Sequence, residues 1–207
     1  MLELPVTIRV PLPHEMPHRE DMEEILQKRK QARIQEGFMY TPNDTQQLPF
    51  TFYAAINVNN SRLWEVFAAL TALFPDKELS CVYGLHDEEP VTTGYFPRAH
   101  VLATLEKYRT ELTQDAWLEF GLLFHTKETL IELFITESKY IKFWGSDRAA
   151  LVKLMLDFGI PQVQNLAFID EYPKISTPLR NFVPTAKHPE SVIRGLDSAF
   201  EIDRSAL

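Results

Sequence analysis

The stretch His86-Asp87-Glu88-Glu89, closed by Pro90, sets one imidazole beside three carboxylates in four consecutive positions. These are the donor types that hold a divalent cation, or that pair as general acid and base. Consecutive residues at a strand end do not converge on one point, so the stretch reads first as a polar strand stop. A second acidic stretch, Asp170-Glu171-Tyr172-Pro173, repeats it with Ile169 where the histidine stood. Cys81 is the only cysteine, which excludes an intramolecular disulfide. It could act as a nucleophile with His86, His100 or His125 as base. Its alternation with Tyr83 and Leu85 places it on a core face instead. The sequence contains no HExxH, no GxSxG, no phosphate-binding loop and no dinucleotide glycine fingerprint. No metal or cofactor is expected, and an enzyme is the less favoured reading.

A different chemistry is offered by three short segments, WLEFGLLFH, TLIELFIT and YIKFW, joined by short polar connections. They read as an antiparallel meander. Leu118, Phe120, Leu122 and Phe124 share one face with Ile131, Leu133, Ile135, Ile141 and Phe143. Matching these faces requires Ile135 opposite Ile141 and leaves Glu137-Ser138-Lys139 as a three-residue loop. The other face then carries Trp117, Glu119, Leu123, His125, Leu130, Glu132, Phe134, Tyr140, Lys142 and Trp144. Gly121 falls opposite Phe134, and Glu132 opposite Trp144. Aromatic side chains set among charges are how protein interfaces concentrate binding energy. The alternative is that this face is covered by the chain's own arm or tail.

The elements that position these residues are legible in part. His18 to Gly37 has acids early, bases late and a glycine at its end, as the helix dipole favours, yet few apolar residues; it reads as a solvated helix. PVTIRVPL before it is a proline-flanked edge strand, and Tyr40 to Pro49 a loop. PFTFYAAINV is a strand, SRLWEVFAALTALF a helix halted by Pro75, and ELSCVYGL a second strand. Residues 98 to 112 form another helix. After the meander, AALVKLMLDFGI is a helix stopped by Pro161 and NLAFI a strand. Ser61 and Asp147 read as caps of the two helices, with Arg62 and Arg148 turned to nearby acids. The tail holds a proline-spaced stretch and a short helix opened by Pro189.

Laying Ser61 to Pro75 on Asp147 to Pro161 matches Arg62 with Arg148, Val66 with Val152, Leu70 with Leu156 and Pro75 with Pro161. A connection three residues shorter then matches Asp87, Glu88 and Pro90 with Asp170, Glu171 and Pro173. The expected fold is therefore α+β: a mixed, largely antiparallel sheet with helices on one face, built from two degenerate strand-helix-strand repeats (50–90 and 139–173) plus the meander. Residues 1–49 form an arm, 50–173 the body, and 174–207 a tail.

Residues 50–173 hold 17 acidic against 10 basic side chains, so the body carries most of the net charge of −8. Such a body repels nucleic acid. No segment reads as a secretion signal or a membrane span, and a cytoplasmic location is expected. The leading functional reading is a protein-binding module, in its sharpest form an immunity protein that blocks a basic bacterial toxin. Its expected contact residues are Asp87, Glu88, Glu89, Asp170, Glu171, Tyr172, Glu132, Phe134, Tyr140 and Trp144. The competing readings are a hydrolase using Asp87, Glu88 or Asp170, and a structural subunit that forms homodimers through the aromatic face.

Overall fold

The structure, a computed structural model, describes residues 2–16, 20–45 and 47–204. Its centre is a seven-stranded sheet in the order β2-β3-β8-β7-β6-β4-β5, with every neighbouring pair antiparallel. In chain order these strands are β2 (Gly37–Pro42), β3 (Phe52–Asn57), β4 (Glu78–Leu85), β5 (Val91–Pro97), β6 (Leu118–His125), β7 (Leu130–Ile135) and β8 (Ile141–Gly145). A separate pair joins β1 (Ile8–Arg9) to β9 (Ile175–Ser176). The architecture is α+β, as the sequence implies.

The meander has the expected register: Ile135 faces Ile141, Gly121 faces Phe134, and Glu132 faces Trp144. Its apolar face joins Ile56, Cys81 and Tyr83 of the neighbouring strands in one core. Helices α2 (Leu63–Leu70), α3 (Arg98–Glu106), α4 (Arg109–Gln114), α5 (Arg148–Asp157) and α6 (Pro189–Ala199) close that face through Phe67, Leu105, Leu112, Leu151 and Val192. Helix α1 (Met22–Gln31) stays outside this core and buries only Met22.

Local chemistry explains where elements stop. Asp147 accepts the Ala150 N–H at 2.9 Å and caps α5. At the other end Gly159 takes the left-handed conformation (φ 68°), with Gly159 N–H donating to the Leu156 carbonyl and Ile160 N–H to that of Met155. Pro161 follows this stop, and Pro75 likewise lies beyond the short turn that ends at Leu73. Ser61 does not cap α2; its hydroxyl donates to Glu3, and a 3-10 turn over Asn60–Arg62 leads into the helix. Arg62 does meet an acid, Glu36, at 3.0 Å.

Several expectations are corrected. The solvated helix ends at Gln31, and its expected start at His18 lies outside the described residues. Gly37 opens edge strand β2, because Gly37–Pro42 pairs with β3 along its whole length. A second edge strand, β5, pairs with β4 where no strand was expected. The helix of residues 98–112 breaks into α3 and α4 at Tyr108, which packs under α6 so closely that a Cβ at Gly195 would lie 2.0 Å from its hydroxyl.

The largest departure is at NLAFI, which is not a strand. Asn165 is left-handed (φ 56°), and residues 161–168 make only isolated bridges before a 3-10 turn at Ile169–Glu171. Their apolar side chains, Val163, Leu166 and Phe168, turn instead onto the sheet's second face. The residues matched between the two proposed repeats also differ in environment: Leu70 is fully buried while Leu156 is 64% exposed. Asp87-Glu88 lies in a turn after a strand, whereas Asp170-Glu171 lies in a 3-10 turn that follows none.

Gly121 occupies a position where a side chain would collide with backbone, since its Cβ would lie 2.4 Å from the Leu133 carbonyl oxygen. The Phe134 ring fills that space. Gly121→Ala is expected to lower unfolding free energy by about 1–3 kcal/mol in urea titrations. Gly94→Ala on edge strand β5, with nothing within 4 Å of its Cβ, should be close to neutral.

Candidate functional site

The second face of the sheet is covered by a strap at one end, and at the other Leu130, whose N–H donates to the Pro49 carbonyl, is also buried. The strap of residues 161–168 seals Tyr140, whose ring sits 4.6 Å from that of Phe168 among Ala55, Val163 and Leu166. Tyr140 is thus 9% exposed and is withdrawn from the surface anchors. The cover is the segment after α5, with Met39 of the arm packed against its edge and no apolar side chain of the C-terminal tail in the cluster.

Between these ends the face is open. Pairing lines up Tyr53, Trp144, Glu132 and Leu123 on four adjacent strands. The next row carries Lys142 and Phe134. The Tyr53 and Trp144 rings pack with centroids 5.0 Å apart and planes tilted by 46°. Among the described residues, Leu123, Phe134 and Trp144 pack into none of the buried apolar clusters, although each is half-buried by its neighbours on the sheet. Burial between such side chains pushes the Glu132 carboxyl up, partly offset by Lys142.

The acidic stretches stand at the sealed end. Asp87, Glu88 and Glu89 are exposed in the turn after β4, with Asp87 left-handed (φ 72°) and 3.3 Å from the His86 ring. Asp170 and Glu171 are exposed and Tyr172 half-buried. Glu171 accepts the Phe168 N–H at 2.7 Å, a local structural role. Asp170 lies beside the Tyr140 hydroxyl, which burial and then Asp170 push well above the usual phenol range.

Between these stretches lies an ionisable cluster built on the loop Glu137-Ser138-Lys139. Lys139, the third loop residue, is left-handed (φ 62°), which turns its side chain inward. It is 3% exposed, and its Nζ donates to the Leu118 carbonyl at 2.5 Å. Burial lowers the amine to about 7, against the opposing pull of Asp115, Glu119 and Glu137. Burial also raises Glu137, but the Lys174 ammonium at 2.5 Å outweighs it and holds the carboxyl at about 2. Glu119 accepts the Glu137 N–H at 3.2 Å and is pushed up by burial.

His86, Glu119 and Glu137 each place a ligand atom within 4.8 Å of the others. Lys174 already occupies the Glu137 carboxylate, so a cation would have to displace that ammonium. Cys81 is sealed in the core, and burial pushes its thiol up, away from the thiolate that nucleophilic attack requires. Beside the cluster, a cleft of about 350 Å3 opens between His86, Asp115 and Trp117 on one side and Leu179 and His188 of the tail on the other.

Sequence patterning finds the open face and the acidic turns, but not Asp115, Lys139 or Lys174 as members of one cluster. A lysine at the third position of a three-residue hairpin loop, where glycine is the usual left-handed residue, is the signal that was available.

Lys139 links the cluster to pH. Its folded-state pKa lies below the unfolded value near 10.5, so between these values the unfolded chain binds the extra proton and stability rises with pH. Below about 7 both states are protonated and the penalty is full and constant. Relative to Lys139→Met, the wild-type chain should therefore gain stability from pH 7 to 9.5 by roughly 1 kcal/mol per pH unit, read from urea unfolding. A pH-independent difference would show that the amine stays charged. Comparison with protein-family models, with curated proteins and with solved structures finds no match to this chain.

Proposed function

We propose that the protein is a non-enzymatic binding module that occludes a basic partner protein, in its most specific form a cytoplasmic immunity protein that neutralises a toxin. The observation that carries this reading is the open row of Tyr53, Trp144, Glu132 and Leu123 on a sheet whose other face is fully packed. Half-buried aromatics on a rigid sheet lose little entropy on docking, which suits them as anchors. The net charge of −8, with Asp87, Glu88, Glu89 and Glu171 exposed at the sealed end, supports steering toward a basic surface. Tyr140 is replaced as an anchor by Tyr53, a half-buried residue of β3 that packs against the edge of the strap cluster and against Trp144. Among the described residues no helix is long and apolar enough to cross a membrane.

Affinity capture from the native cell supplies the partner, and stopped-flow kinetics tests the assignment. Trp144→Ala is expected to speed dissociation and weaken binding by about 1–4 kcal/mol while leaving the fold intact. Unchanged dissociation in a folded Trp144→Ala variant would overturn the anchor. Charge reversal at Glu88, Glu89 or Glu171 should slow association at low salt and flatten its salt dependence, since exposed charges are screened over about 8–10 Å. A concentration-dependent mass of the pure chain that Trp144→Ala abolishes would assign the face to a second copy instead.

A further inference from the structure

We infer that the cleft beside the ionisable cluster is a recess for an arginine side chain of the partner protein. Its volume of about 350 Å3 is at the low end of ligand sites, which run from about 300 to 1,000 Å3. That suits one long side chain. The walls at Leu85, Pro178, Leu179 and Pro189 are apolar, and the Trp117 indole, 41% exposed, stands among them. Such walls accept an aliphatic stem and offer a flat ring to a flat cation.

The sign of the ligand is set by the buried charge. Asp115 lines the cleft yet is 1% exposed, and one of its carboxylate oxygens accepts the backbone N–H of Trp117 at 3.0 Å. Among the described residues, no hydrogen bond engages its other oxygen. Asp115 follows directly on α4, so the carbonyl end of that helix adds to the negative potential. Lys139 offsets part of this field, but its amine is turned to the Leu118 carbonyl. The remaining charges of the lining are more open to water: Glu88 and Glu190 against Arg180, His86 and His188, of which His188 also acts on Asp115. Charges open to water are screened, whereas a desolvated carboxylate is not, so Asp115 selects a cation.

Arginine fits better than lysine. Its guanidinium is weakly hydrated, lies on an indole face and presents paired donors to a carboxylate. This inference rests on the reading of the chain as a binder of a basic protein. Its test needs no partner and leaves Trp144 unaltered, so its failure is distinguishable from failure of that reading.

The probe is Nα-acetyl-L-arginine N-methylamide, titrated into the full 15N-labelled chain and followed by NMR. Saturable shifts are expected at the Trp117 indole N–H and at the Glu88 and Leu179 amides, with millimolar affinity as befits one side chain. Asp115→Asn, which keeps an acceptor for the Trp117 N–H, should weaken binding by about tenfold or more. Trp117→Leu should weaken it several-fold, and Glu65→Gln on the exposed side of α2 should have no effect. The neutral citrulline counterpart should leave the spectrum unchanged, a comparison that needs no variant. Equal binding of the citrulline compound, binding of N-acetylglycine in place of the arginine compound, or no saturable shift would each overturn the assignment.

Discussion

The loop Glu137-Ser138-Lys139 sets the register on which the sheet depends. With Lys139 left-handed, the loop closes by Lys139 N–H donating to the Thr136 carbonyl and Thr136 N–H to that of Tyr140. This fixes Ile135 opposite Ile141 and puts Leu133 and Phe143 on the helix side. A slip of one residue would turn each of those side chains toward the second face, so the apolar pattern and the loop geometry support the same pairing. A non-glycine residue in this conformation costs free energy, on the order of 1 kcal/mol. The surrounding packing over-determines it, as strained positions require.

The same loop gathers the charges. Turning Lys139 inward places an amine where water cannot follow, and Asp115, Glu119 and Glu137 supply the surrounding acids. Glu137 then holds Lys174, which fastens the chain just before β9 pairs with β1. The tail joins this end of the sheet through the ionic cluster, by way of Lys174. Arm and strap reach it through apolar side chains, Leu4 and Ile8 beside Ala116 and Ile169, and Val163, Leu166 and Phe168 around Tyr140. Desolvating charges costs more than burying hydrocarbon of the same size, so the cluster is weak support for stability. It does specify where the start of the tail must lie, since any other arrangement leaves Glu137 without the Lys174 ammonium.

How much of this was legible in the sequence follows from the range of the interactions. Periodicity of two residues along β6, β7 and β8, and the demand that apolar faces coincide, determine the meander and its register without any distant information. Prolines 75 and 161 stop helices for local steric reasons. Edge strands β2 and β5 were missed because Gly37, Pro42, Gly94 and Pro97 are poor strand formers, and only pairing with β3 and β4 holds them. NLAFI carries a strand's composition, but its neighbours in space decide otherwise: Tyr140 needs a cover, and Phe168 provides it. For the site, the open row was visible as alternation, whereas Asp115, Lys139 and Lys174 are brought together across 24 and 35 positions of chain by the register itself.

The open half of the second face is not a by-product of an unfinished edge. Pro161–Val163 runs along β2, where Phe38 N–H donates to the Pro161 carbonyl and Val163 N–H to that of Phe38, which occupies that border of the sheet. At the opposite border β5 lies between Pro90 and Pro97 and is interrupted by a bulge against β4, features that discourage strand addition. Both borders are thus guarded against edge pairing, while Trp144, Phe134 and Leu123 are left uncapped between them. A strap that already crosses the sheet over Tyr140 needed only a few more residues to cover that row. Its turning away at Ile169, into a cluster with Ile8 and Ala116, leaves a flat, rigid and partly desolvated surface. Such a surface favours docking face-on, through side chains, over strand exchange through backbone.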